Sequence, residues 1–118
     1  MGTAAVPLPT EQSHRVPAEV VQVVKHAVKA QEQLWARYRG RVQRMWPHVL
    51  GWRQGRLYVL GFFLDAAEPT ISRWEWVAVS DLGEPRARPG VWIGSPRASR
   101  PSSAFLDRVL VECEEPAS

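Results

Sequence analysis

The hydrophobic period changes at Gln31, and that change constrains the fold more than any other feature of the chain. Before it the spacing is helical. Val20, Val24, Ala27, Val28 and Gln31 lie along one side, and Glu19, Gln22, His26, Lys29 and Gln33 along the other. Pro17 stands where a helix accepts its first residue, because a missing N–H is unpaired there anyway. Glu19 near the start and Lys29 near the end suit the helix dipole. The run is rich in Val, so packing against the rest of the chain has to supply most of its stability. The reading is a helix over residues 17–31, behind a flexible tail over 1–15 that holds Pro7 and Pro9.

After Gln31 the period is two. Leu34, Ala36 and Tyr38 alternate with Trp35, Arg37 and Arg39, and Gly40 ends the run, which predicts a strand over 33–39 and a turn. A second extended stretch covers 41–53, with Pro47 expected at an edge or a bend. Gln54-Gly55 marks a hairpin. RLYVLGFFL, residues 56–64, is apolar on both faces and reads as a central strand, with Gly61 marking a bulge or bend. Asp65 to Ser72 reads as a turn, and RWEWVAV, with Ser80 after it, as a strand over 73–80. Residues 83–103 hold four Pro and three Gly and read as a long irregular connection, with Val91-Trp92-Ile93 as a short strand or a plug onto the core. From Ala104 to Cys113 two patterns compete. Phe105, Leu106, Val109 and Leu110 fit a helical stripe that Ser102 or Ser103 would cap, whereas RVLVEC is β-branched like a closing strand. The strand, over 105–113, is preferred, with 114–118 as a tail.

One helix followed by about five short strands predicts an α+β, mainly β domain over residues 16–113. Its form would be an N-terminal helix packed on a small, strongly bent antiparallel sheet or barrel. The length of 118 residues suits one domain, and six Trp supply bulky apolar side chains for a core. No apolar run reaches the length of a membrane span, and residues 1–16 lack the pattern of a secretory signal. The lone Cys113 can make no internal disulfide and anchors no Cys-rich zinc site; its plain reading is a small buried apolar residue. A reduced, cytoplasmic setting is expected.

Enzymatic chemistry is not evident. No glycine-rich phosphate loop occurs, and His14, His26 and His48 have no ligand partner at metal-binding spacing. Asp65, Glu68, Glu75 and Asp81 lie in or near turns, where carboxylates are ordinarily solvated, and no Ser sits in a nucleophile elbow. No catalytic residue, metal or cofactor is expected. The charge pattern is more informative. Net charge is +3, carried by thirteen Arg and two Lys. Six Arg and no acid lie between Arg37 and Arg56, and four Arg and no acid between Arg86 and Arg100. Clustered Arg can fork onto phosphates or carboxylates; the plain alternative is a solvated face whose Arg stems cover Trp rings. On a strand running through Gly40, Arg37, Arg39 and Arg41 would form one stripe with neighbours about 7 Å apart. If the chain turns there, Arg41 joins the facing strand.

LWARYRG, RMWPHVLGW and GRLYVLGF together resemble the WYL-domain family of bacterial regulators. Tyr38 and Gly40 match its extended Tyr-x-Gly segment. Arg44, Pro47 and His48 match its Arg-x-x-x-Pro segment. Gly55, Tyr58 and Val59 match its Gly turn and following strand, with Leu57 where the family usually has Trp. The resemblance covers residues 17–83. It implies an SH3-like or Sm-like barrel that binds a negatively charged ligand, a nucleotide or nucleic acid and controls a partner. A copy without the family's usual winged-helix domain would act as a sensor or accessory subunit. One departure bears on the ligand: the Arg residues that usually line the face on the last strand are replaced by Ala78 and Asp81, and Arg73 lies earlier.

The expected function is therefore a non-enzymatic regulatory or sensing module for an anionic small molecule or nucleic acid. Arg37, Arg39, Arg41, Arg44, His48, Tyr58 and Arg73 are the candidate contacts. Tyr58 is read either as a core ring or as part of a pocket, and Trp46 and Trp52 either as stacking platforms or as rings that close the ends of a barrel. The alternative is an adaptor that forms a homodimer or binds a protein partner through Trp-rich surface such as Trp74 and Trp76.

Overall fold

Helix α1 spans Ala18–Ala30 in the computed structural model, which describes residues 16–64, 72–92 and 100–113. Pro17 stands just ahead of the first turn rather than inside it, and its carbonyl accepts from the N–H groups of Val20 and Val21. At the other end Gln31 adopts left-handed backbone, φ 55°, and Glu32 N–H reaches back to the Ala27 carbonyl. That pair of features is a Schellman stop, and it releases the chain into extended structure where the period changes. Val24, Ala27 and Val28 are fully buried, so the helix is held by its packed face.

Six antiparallel strands follow: β1 Gln33–Tyr38, β2 Arg41–Arg53, β3 Arg56–Leu64, β4 Ser72–Ala78, β5 Gly83–Arg88 and β6 Arg108–Glu112. The sheet order is β4-β3-β2-β1-β5. The thirteen-residue β2 is its spine. β3 lies along one edge of it. The opposite edge is shared, with β1 against Arg41–Met45 and β6 against Val49–Trp52. The sheet bends between those two stations, where the register slips between Pro47 and Val49. Pro47 therefore does not interrupt β2; it sits beside a bulge, where a missing N–H is tolerated. The irregularity expected at Gly61 falls in the facing strand at that bulge. β3 is central, as its apolar run requires. Of the forms expected, an open bent sheet with α1 on one face is the one observed, with β4 and β5 at its ends.

The β1–β2 and β2–β3 hairpin turns each use two left-handed residues. Arg39 and Gly40 have φ 54° and 82°, and Gln54 and Gly55 have φ 50° and 78°. This is the geometry of a two-residue hairpin loop that matches strand twist. The chain therefore turns at Gly40 and does not run through it.

The connection over 83–103 is not wholly irregular. Gly83–Arg88 forms β5 and pairs with β1 in spite of Pro85. Proline is tolerated because β5 is an edge strand and the register breaks between Trp35 and Arg37, opposite Pro85. The strand is hard to see in sequence because its helix-side residues are only Pro85 and Ala87. Trp92 plugs onto the core without forming a strand, while Ile93 lies outside the described residues. The strand expected over 73–80 ends at Ala78, and Val79–Asp81 forms a 3₁₀ turn. The C-terminal strand is also shorter than expected. Ser103–Phe105 is a 3₁₀ turn in which Ser102 Oγ accepts from Ala104 N–H, and β6 follows. The tails over 1–15 and 114–118 and most of the Asp65–Ser72 turn lie outside the described residues.

The two faces of the sheet have separate cores. On the helix side, Leu34, Tyr38, Met45, Leu50, Val59, Phe63 and Val77 pack with Val24 and Val28. On the other side, called the outer face below, Val49, Leu60 and Leu106 pack with Tyr58, Trp74, Trp76 and Phe105. The approach of β6 to β2 on that side depends on Gly51, where a Cβ would stand 2.4 Å from the Arg108 carbonyl oxygen. No helix among the described residues is long and apolar enough to cross a membrane.

Candidate functional site

Register decides where each arginine goes. In an antiparallel pair, directly opposed residues share a face. Leu34 opposes Met45, and Tyr38 opposes Arg41, on the helix side; Trp35 opposes Arg44, and Arg37 opposes Val42, on the outer face. Arg37 and Arg41 thus point to opposite faces, and the stripe expected of Arg37, Arg39 and Arg41 is not formed. The turn at Gly40 is the reason.

Arg39 and Arg73 instead meet on the helix side around one carboxylate. Arg39 Nη2 lies 2.8 Å from Glu75 Oε2, and Arg73 Nε lies 3.0 Å from Oε1. The Tyr38 hydroxyl donates to the same Glu75 carboxylate. Arg73 also donates to Gln43 and lies 4.3 Å from the Phe63 ring centroid. This knot ties β1, the Gly40 turn and β4 together. Burial and the neighbouring Glu75 carboxylate push the Tyr38 hydroxyl up to about 12. Burial alone would raise the Glu75 carboxyl too, but the Tyr38 hydroxyl and the Arg73 and Arg39 guanidiniums outweigh it and hold it below its usual range. A Tyr38 pKa raised on folding contributes stability below about pH 10, and that contribution is lost as pH rises toward 12. The lowered Glu75 contributes above its unfolded pKa, and its contribution is lost as pH falls through the folded value. In an alkaline titration the tyrosinate absorbance is expected to show a late step near pH 12 that disappears in Tyr38→Phe. A late step that persists in the variant would contradict the assignment.

The outer face carries a different arrangement. The Arg44 guanidinium sits 5.6 Å from the Trp35 ring centroid and 5.0 Å from that of Trp46. Arg88 lies 5.8 Å from Trp35. Trp35 opposes Arg86, and Gln33 opposes Arg88, so β5 adds both arginines to this face. Trp35, Arg37, Val42, Gly83, Glu84, Arg86 and Arg88 surround a shallow depression of about 200 Å³. Among the described residues, no carboxylate pairs with Arg37, Arg44, Arg86 or Arg88; the arginines in ion pairs are Arg39, Arg73 and Arg100. Arg44 and Arg88 lie over the Trp35 ring by cation–π contact, and Arg37 and Arg86 flank it on the same face. Glu84 is the one carboxylate among the described residues that line the depression. Four guanidiniums without an ion pair among the described residues make a surface that can take anions.

His48 and Tyr58 stand apart from this patch. His48 is fully buried, its Nδ1 is 2.8 Å from the Trp46 carbonyl oxygen, and its ring packs on Trp74 and Trp92. It therefore cannot touch a ligand on this surface. Tyr58 is half-buried edge-on to Phe105. Of the expected contacts, then, Arg37 and Arg44 share the patch, Arg39 and Arg73 share the Glu75 knot, and Arg41 lies exposed on the helix side. Arg86, Arg88 and Trp35 belong to the patch but are absent from the expected set. Their signal in the sequence is the Arg-Ala-Arg alternation of Arg86, Ala87 and Arg88 within an acid-free stretch. Among the described residues no group of three His, Cys, Asp or Glu is placed to hold a metal ion. Comparison with protein-family models, with curated proteins and with solved structures returns no match.

Proposed function

We propose that this chain is a non-enzymatic regulatory or sensing module that binds single-stranded nucleic acid through Trp35, Arg37, Arg44, Arg86 and Arg88. The observation that carries the proposal is the segregation of charge. The arginines on the helix side near β4 are neutralised by Glu75, whereas those around Trp35 are ion-paired with no carboxylate among the described residues, Glu84 at the rim included, and are spread over an open, shallow surface. A flat basic surface with an aromatic ring suits a flexible polyanion whose bases have π-faces. A deep pocket for a small ligand would need more enclosure than a depression of about 200 Å³ offers.

The WYL-like assignment belongs to the same proposal. A helix leading into antiparallel strands with Gly turns at Gly40 and Gly55 supports it. The contacts, however, shift from the Arg39, Arg41, His48, Tyr58 and Arg73 positions to the β1–β2–β5 surface, which keeps Arg37 and Arg44. A cytoplasmic setting is proposed too, in keeping with a single, buried cysteine. The adaptor reading has less to stand on. Trp46 is 1% exposed, and Trp74 and Trp76 are half-buried against Phe62, His48 and Phe105.

The test is fluorescence anisotropy of a labelled single-stranded oligonucleotide titrated with the protein at several salt concentrations. Four phosphate contacts predict a slope of about −3 in log K against log salt. No binding at low salt, or binding that salt leaves unchanged, would defeat the proposal.

A further inference from the structure

The β2–β3 hairpin ends in two arginines that face each other. Arg53 and Arg56 are directly opposed across the Gln54-Gly55 turn, so their side chains leave the same, outer face with Cβ atoms about 5 Å apart. Like charges in that position repel. No carboxylate among the described residues pairs with either one. Asp107, which lies against the turn, accepts from Gln54 N–H at 2.6 Å. Aromatic rings hold both guanidiniums. Arg53 lies 4.2 Å from the Phe105 ring centroid and Arg56 lies 5.8 Å from that of Tyr58. Those rings are themselves fixed, Phe105 stacking on Trp76 at 4.6 Å and meeting Tyr58 edge-on at 5.3 Å. Among the described residues Arg53 Nη1 reaches only the Phe105 carbonyl, at 3.5 Å, the limit of a hydrogen bond. The Nε of Arg56 is buried and has no acceptor among the described residues.

We propose that Arg53 and Arg56 form a second anion site, distinct from the Trp35 patch, that takes a phosphate monoester. Two preorganised guanidinium forks present more donors than one carboxylate can accept, whereas a phosphate monoester offers three acceptor oxygens and a charge near −2. Such a group would relieve the repulsion between the pair by accepting from the outward-facing N–H groups of both guanidiniums. The site shares no residue with the Trp35 patch and stands or falls without it.

The experiment is an NMR titration of the full chain with inorganic phosphate at constant ionic strength, following the Arg Nε–H resonances, with acetate titrated in parallel. Saturable movement of the Arg56 Nε–H with phosphate is expected, along with much weaker movement with acetate. The affinity should fall at least about tenfold in Arg53→Gln, for the loss of one charged contact, and stay unchanged in Arg44→Gln/Arg88→Gln. The wild-type titration decides by itself, because its readout sits on Arg56 and needs no variant to fold. Absence of saturation, equal response to acetate, or loss of binding in Arg44→Gln/Arg88→Gln would each overturn the site.

Discussion

Replacing Arg44 and Arg88 together by Gln is expected to weaken single-stranded oligonucleotide binding about 100-fold. Each guanidinium–phosphate contact is worth at least about 1.5 kcal/mol, and two of them are removed. The salt slope should become shallower by about 1.4, for two counterions fewer on a single strand. Fold stability should change little, since both side chains lie exposed on the outer face. The informative comparison is Arg39→Gln/Arg73→Gln. That pair removes the same charge but acts on the Glu75 knot, so it should cost stability and leave oligonucleotide affinity within a few-fold of wild type. Anisotropy and thermal unfolding on the two variants separate the roles. Equal loss of affinity in both would mean that only net charge matters, and the patch would have no special status.

Gly51→Ala is expected to be more damaging than the same change at any other described glycine held between strands. Its Cβ would lie 2.4 Å from the Arg108 carbonyl oxygen and 2.5 Å from Leu106 Cδ1. The first of these is backbone, so no rotamer change relieves it. β6 has to move off β2, and the packing of Leu106 on Val49 and Leu60 loosens with it. A cost of about 3 kcal/mol follows from overpacking of this kind, which lowers the unfolding midpoint by about 15 °C in a domain of this size. Gly61→Ala is the control. There the closest atom is the thioether sulfur of Met45, the far end of a flexible side chain that can turn aside. Its loss should be less than half as large. A Gly51→Ala protein that melts with the wild type would show that β6 is not seated as described.

Much of the architecture was legible because it rests on periodicity and turn chemistry. The change of period at Gln31 marks the end of α1, where Gln31 and Glu32 make the stop. The two glycines with positive φ among the described residues, Gly40 and Gly55, mark the β1–β2 and β2–β3 hairpins. The apolar run of β3 declares itself central, and it is paired on both sides. β5 was missed because its inward residues are small and a proline sits among them, and only the free edge of β1 gives it a place. The candidate site was half legible for a related reason. Arg37 and Arg44 could be grouped along the chain, but alternation over a few residues cannot tell which side of a turn Arg41 will face. It also cannot reveal that Arg86 and Arg88 arrive from a strand some fifty residues away. The local sequence marks Glu75 as an ordinary solvated carboxylate, yet it draws Arg39 and Arg73 away from Trp35, a long-range contact with no local signature.

The most direct test of the central claim is a residue-resolved map of where an oligonucleotide lands. Backbone and Trp indole NMR shifts of the full chain, followed during titration with a short single-stranded oligonucleotide, provide it. The account predicts that the largest shifts fall on Trp35, Arg37, Arg44, Arg86 and Arg88, with the Trp35 indole among them. Shifts centred on Lys25 and Lys29 of α1, or on Arg39 and Arg73 around Glu75, would contradict it.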